Sequence, residues 1–189
     1  MRQQPLDRRL AHLGNATAVM EGFQGAWLET ADAVVHQVRQ ARKHYPDANV
    51  TVTGHSLGAA IALLDALYIA HALSIPVDAT LFGLPRVGNA PFADAVDRYL
   101  PSQKHIINAG DPVPHIPLQY FDFQQASGEI WIVPDGARNE RRGASEAAHV
   151  LSCPGQENAA CSNRLAWGHY RLADHTGPYF GVSMYCSRP

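Results

Sequence analysis

The chain has 189 residues, 46% of them hydrophobic and 17% charged, with a formal net charge of -2 at pH 7. That length buries one sizeable core and is too short for two ordinary domains, so a single globular domain is expected. The slight negative charge gives no electrostatic reason to expect nucleic acid or an anionic membrane as partner, which favours a small or apolar ligand. The longest apolar stretch, Leu57 to Leu73, contains Asp65 and His71 and falls short of a transmembrane segment. Basic residues near Met1 have no apolar run behind them, so the N-terminus does not read as a secretory signal.

In chain order, Trp27, Leu28, Ala31, Val34, Val35, Val38 and Ala41 recur at spacings of three and four and predict one amphipathic helix from Ala26 to Lys43. Tyr45-Pro46-Asp47 ends it. Val50-Thr51-Val52-Thr53 is a short β-branched strand that stops at Gly54. From Leu57 to Ala72 the sequence is apolar nearly all round, which predicts a helix buried between a sheet and other helices. Ala79 to Phe82 and Lys104 to Asn108 read as further strands around a helix from Pro91 to Tyr99, and Ile130 to Val133 and Ala147 to Leu151 as two more. The tail from Arg164 is irregular and rich in aromatic residues and histidine. Helix, strand, turn and helix in this order predict an α/β fold with a mostly parallel sheet flanked by helices.

Gly54-His55-Ser56-Leu57-Gly58 fits G-x-S-x-G between a β-branched strand and an apolar helix, the context in which this motif presents a serine at a sharp turn. With Gly and Ser each near 7% usage, the bare pattern arises by chance in about one chain in twenty of this length, so the strand and helix around it carry much of the weight. Side chains at Gly54 and Gly58 are expected to clash in such a turn, and the N–H of Leu57, at the helix start, to face an oxyanion beside Ser56.

A serine hydroxyl needs a base, and the base needs a carboxylate to fix its tautomer. Asp111, just past the strand Lys104 to Asn108 and the turn Ala109-Gly110, sits at the carboxyl end of a strand, where α/β folds place functional groups. Asp94 and Asp97, on a helix, and Asp122 are its rivals. Among ten histidines, His55 is expected to point away from Ser56, and His36, His44 and His71 belong to helices. His105, His115, His149, His169 and His175 remain open on spacing alone. No H-E-x-x-H or comparable ligand set suggests a metal.

Three cysteines leave one unpaired if a disulfide forms. The short interval from Cys153 to Cys161 could close a surface loop, the alternative being buried free thiols. Asn15-Ala16-Thr17 and Asn49-Val50-Thr51 match glycosylation sequons.

Four segments in matching order resemble the fungal class 3 lipases, secreted serine esterases of the α/β-hydrolase fold. These are Glu21-Gly22-Phe23; Val52-Thr53-Gly54-His55-Ser56-Leu57-Gly58-Ala59-Ala60; Phe82-Gly83-Leu84-Pro85-Arg86-Val87-Gly88-Asn89; and Asp111-Pro112-Val113-Pro114-His115-Ile116-Pro117. The resemblance implies a triad of Ser56, His175 and Asp111: in that family the acid precedes Val-Pro, and the base precedes a Tyr-Phe-Gly segment, here Tyr179-Phe180-Gly181. It also implies a secreted enzyme that needs no cofactor and a lipid or other ester substrate, triacylglycerol first, with feruloyl or general carboxylic esters as the alternative. Contact with a lipid–water interface comes with the lipase reading. Cys153-Pro154-Gly155-Gln156-Glu157-Asn158 with Cys161 resembles the disulfide loop of secreted members, and Cys186 falls where the family bonds to an N-terminal cysteine. Residues 1–20 are expected to lie outside the family domain and to lack its first strands, its Arg-Gly oxyanion segment and its lid. Residues 21–189 would then be a truncated portion of that domain, an ester hydrolase or, as the alternative, a catalytically impaired non-enzymatic fragment.

Overall fold

The computed structural model describes residues 2–134 and 150–184. β1 (Gln3–Pro5) and β2 (Ala18–Met20) pair antiparallel with Gln4 opposite Val19. Between them a 3-10 helix, Arg8–Leu13, starts at Asp7, whose carboxylate accepts the N–H of Arg9 at 3.0 Å. Leu10, Leu13 and Val19 enter the same core as Trp27, Leu64 and Leu81. Residues 2–20 thus hold two short strands of their own, and their apolar side chains join the core of the rest. Strands of three residues carry no readable period, and distant groups hold this ribbon: the Met20 N–H donates to the Val87 carbonyl at 2.9 Å and the Ala18 N–H to Asn89 Oδ1 at 3.0 Å.

Two helices, α1 (Glu21–Leu28) and α2 (Ala31–His44), replace the single helix expected over Ala26–Lys43. Each half buries different residues, Gln24 and Trp27 from α1, Ala31 and Val35 from α2. Trp27, Leu28 and Ala31 keep the helical period across the break at Glu29–Thr30, so spacing alone hides it. In the last turn of α2, Arg42, Lys43 and His44 complement the helix dipole.

β3 (Val50–His55), α3 (Leu57–Leu73), β4 (Val77–Phe82), α4 (Ala90–Tyr99), β5 (Lys104–Asn108) and β6 (Glu129–Ile132) follow the predicted order. The four strands run parallel in that order, and β7 (Val150–Cys153) pairs antiparallel with β6, Trp131 opposite Leu151. The strand expected over 147–151 is described from Val150 onward; residues 147–149 lie outside the described residues, as does Cys186. α3 packs on β3 and β4 and against α1 and α2, and this explains its lack of a polar face. Asn89 caps α4, its side chain accepting the Phe92 N–H at 3.1 Å. A disulfide joins Cys153 to Cys161. No helix among the described residues is long and apolar enough to cross a membrane.

Inside the core, Trp27 has no solvent contact and donates its Nε1–H to Asp65 Oδ1 of α3 at 2.9 Å. Burial outweighs that hydrogen bond and pushes the Asp65 carboxyl up to about 6 from 3.8. A raised folded-state value means the carboxyl is accommodated best below about pH 4 and costs stability as pH rises through 6. Asp65→Asn keeps an acceptor for Trp27 and removes that cost. In chemical denaturation, wild type and Asp65→Asn should be alike at pH 4, with the variant gaining about 2 kcal/mol by pH 8; a difference independent of pH contradicts this.

Candidate active site

Ser56 adopts φ 57 and ψ -126, a strained conformation for a side-chain-bearing residue and the one a strand-to-helix elbow demands. Its N–H donates to the Phe82 carbonyl at the end of β4 at 3.0 Å, and its own carbonyl accepts the Ala59 N–H at 3.0 Å as α3 begins. A Cβ on Gly54 would lie 2.3 Å from the Gly58 carbonyl oxygen, so the glycine there is obligatory. A Cβ on Gly58 would meet nothing within 4 Å. The expected clash at Gly58 is thereby corrected: its backbone, not its missing side chain, crowds Gly54. Leu57 is the first residue of α3, where a helix leaves its N–H unpaired, and its side chain is half exposed.

Asp111 lies past the end of β5 with no solvent contact. Its Oδ2 faces Nδ1 of His175 at 2.8 Å, and its Oδ1 accepts the Val113 N–H at 2.8 Å. Burial pushes the Asp111 carboxyl above the ordinary carboxylate range, and the bonds from His175 and Val113 pull against it. An ionised Asp111 requires the proton on Nδ1 of His175, leaving a lone pair on Nε2.

His175 sits in a 3-10 helix, Leu172–Thr176, stitched to the end of β5. Asn108 Nδ2 donates to the Asp174 carbonyl at 2.9 Å, the Gly110 N–H to Asp174 Oδ2 at 2.9 Å, and the Arg171 N–H to the Gly110 carbonyl at 2.8 Å. Gly83, at φ 54 after β4, lets the imidazole approach: a Cβ there would lie 2.8 Å from His175 Cε1.

Two residues with no spacing signal of their own, His55 and Tyr179, lie against this pair. The ring of His55 lies 4.5 Å from that of His175, and its Nε2–H donates to the His175 carbonyl at 2.6 Å. Tyr179, buried, has its hydroxyl 3.1 Å from the same carbonyl and 3.4 Å from Asp111 Oδ2. Burial and the neighbouring Asp111 charge hold that phenol well above its ordinary range, so it stays a donor. The only sequence signal for Tyr179 was its place in the Tyr-Phe-Gly segment.

The rival groups serve elsewhere. Asp97 accepts the Ser127 N–H and Oγ–H, each at 2.8 Å, and Asp94 accepts from Gln156 at 3.1 Å, while Asp122 takes a left-handed turn conformation. His105 is buried in β5 and His115 beside Arg86, and burial pushes each imidazole down to about 4. His71 stacks on His12 at 3.5 Å, and the His169 carbonyl packs where a Cβ of Gly110 would be. His149 lies outside the described residues. One group with metal-ligand spacing occurs among the described residues, Glu129, Cys153 and Cys161, but its two sulfurs are tied up in the disulfide.

A parallel sheet, a serine elbow after β3 and an acid after β5 that meets a histidine from the chain's end define an α/β-hydrolase fold. The native Rhizomucor miehei lipase in complex with its propeptide shares it: TM-score 0.79, 29% identity, covering 97% of this chain and 56% of that one. A structure described as a triacylglycerol lipase whose catalytic centre is a serine-protease triad superposes with TM-score 0.78 at 30% identity, over 97% of this chain and 65% of that one. In sequence, the profile of the lipase (class 3) family matches residues 3–121. The secreted mono- and diacylglycerol lipase MDL3 of Malassezia globosa is 38% identical over 167 residues, 86% of this chain and 54% of that protein. This chain belongs to the class 3 lipase family. It spans about half the length of the curated relatives it matches.

The elbow geometry separates its two glycines experimentally. Gly54→Ala should cost about 2 kcal/mol or more through overpacking against backbone, whereas Gly58→Ala should be neutral or stabilising by up to about 1 kcal/mol through helix propensity. Thermal unfolding of the two variants checks this, and equal losses would contradict it.

Proposed function

We propose that the chain is a carboxylic ester hydrolase acting on acylglycerols, with Ser56 as nucleophile, His175 as general base and acid, and Asp111 as the carboxylate that orients His175. The observation that carries this reading is the 2.8 Å contact between His175 Nδ1 and the buried Asp111 Oδ2, held two strands away from the strained Ser56 elbow. Asp111 sets the proton on Nδ1, so Nε2 accepts the Ser56 hydroxyl proton as Oγ attacks the ester carbonyl. The oxyanion is met by the Leu57 N–H at the start of α3. His175 then returns the proton to the leaving alcohol, giving an acyl-Ser56 ester that water cleaves by the same steps in reverse.

The choice of acylglycerols draws on the relatives, several named mono- and diacylglycerol lipases, and on a structural neighbour described as a triacylglycerol lipase. Secretion is proposed on the relatives' names, and the Cys153–Cys161 disulfide accords with an oxidising compartment. Exposed Leu57, Leu172, Phe180 and Val182 flank Ser56 and His175 in sequence and support contact with a lipid–water interface.

A fluorescent serine-hydrolase phosphonate should label wild type at Ser56 and label neither Ser56→Ala nor His175→Ala. Asp111→Asn, which keeps the shape but loses the tautomer control, should lower turnover of a soluble ester by about four orders of magnitude. A folded wild type that takes up no label contradicts the proposal. Hydrolysis of emulsified mono-, di- and triacylglycerols, compared with short soluble esters, then sets the substrate range.

A further inference from the structure

Arg86 and Glu157 anchor a connected polar cluster outside the site just described. Arg86 follows β4 and is almost wholly buried, with 5% of its side chain exposed. It holds three consecutive carbonyls of the segment after Asp111: its backbone N–H donates to Ile116 O at 3.0 Å, and Nη1 donates to His115 O and, at 3.1 Å, to Pro117 O. Glu157 grips the other side of the guanidinium in a two-point pair, Nε to Oε1 at 2.6 Å and Nη2 to Oε2 at 2.9 Å. Glu157 also accepts the Gln125 N–H at 2.7 Å and Asn163 Nδ2 at 2.9 Å, and Asn163 Oδ1 lies 3.0 Å from His115 Nδ1. Arg86, Glu157, Asn163 and His115 thus form a closed ring.

The loop carrying Glu157 is fixed in turn. The Cys153–Cys161 disulfide closes it, Asn158 braces it through Pro154 O and the Ala160 N–H, each at 2.8 Å, and Glu157 itself sits at φ 48. These groups reach the site through the segment 112–117 that leads from Asp111, whose own Oδ1 is tied to Val113 in that segment.

Resting on the ester-hydrolase reading, we propose that Arg86 and Glu157 are positioning residues for the proposed reaction, a clamp by which the disulfide-closed loop 153–161 sets where Asp111 meets His175. Loosening the clamp lets segment 112–117 drift, and drift of Asp111 weakens its hold on the His175 Nδ1 proton. Substrate binding makes no use of the clamp, so the loss falls on kcat rather than KM.

Removing one partner alone strands a buried charge and threatens folding, so the informative variant is Arg86→Met with Glu157→Met, which removes both charges at similar bulk. Two quantities are read in wild type and in this double variant, with folding checked by circular dichroism. One is the downfield proton resonance of His175 Nδ1–H, which needs no activity. The other is kcat and KM on a soluble p-nitrophenyl ester. The expected result is a folded variant whose resonance is lost or moved upfield, with kcat lower by about 10- to 100-fold and KM little changed. A folded variant with the wild-type resonance overturns the proposal whatever its kcat. A variant that does not fold also overturns it, since the pair then serves stability instead of placement. If wild type hydrolyses nothing, the ester-hydrolase reading fails by itself, and the resonance comparison still decides the clamp.

Discussion

A carboxylate with no contact with solvent is costly, by several kcal/mol if left unpaired, and Asp111 is such a group. The arrangement of the site follows from meeting that cost. Oδ1 has the Val113 N–H, Oδ2 has His175 Nδ1, and the Tyr179 hydroxyl stands within reach of the same oxygen. Since the partner that satisfies Oδ2 comes from the far end of the sequence, the irregular tail must dock against the sheet. Asn108, Gly110 and Asp174 make that docking specific. The same bond that makes burial of Asp111 tolerable fixes the tautomer of His175, so stability and the proposed chemistry depend on one contact.

Docking at this density needs backbone to come close to its neighbours, and the sequence supplies a glycine at the end of each of three adjacent strands. Gly54 in β3 admits the Gly58 carbonyl, Gly83 after β4 admits the His175 ring, and Gly110 after β5 admits the His169 carbonyl. A Cβ at each would stand within 2.3, 2.8 and 2.3 Å, respectively, of those groups. The cleft is therefore assembled from close approaches along the carboxyl edge of the parallel sheet, which explains why residues far apart in the chain converge there.

Elements with a strong local pattern were legible in the sequence: the β-branched run at Val50, the apolar α3, the strand Lys104–Asn108 and the G-x-S-x-G turn that joins strand to helix. What escaped had no local signature. The break between α1 and α2 falls where the apolar spacing continues unbroken, and β1 and β2 are too short to show alternation. Spacing left five histidines open, and only the resemblance to a family singled out His175, which the fold then brings against Asp111. His55 lay in plain view within the motif, yet its bond to the His175 carbonyl spans 120 residues. Glu157 and Arg86, 71 residues apart, were likewise invisible as a pair, since charge complementarity at that separation has no period to betray it.

All of this turns on whether the elbow and the histidine–aspartate pair act together on an ester. The most direct measurement is a rapid-mixing experiment with excess p-nitrophenyl ester, following nitrophenolate release before steady state and trapping the acylated protein for mass spectrometry. A burst approaching one nitrophenolate per folded chain and an acyl group on Ser56 are the expected result. A folded chain that shows no burst and carries no acyl group on Ser56 would contradict it.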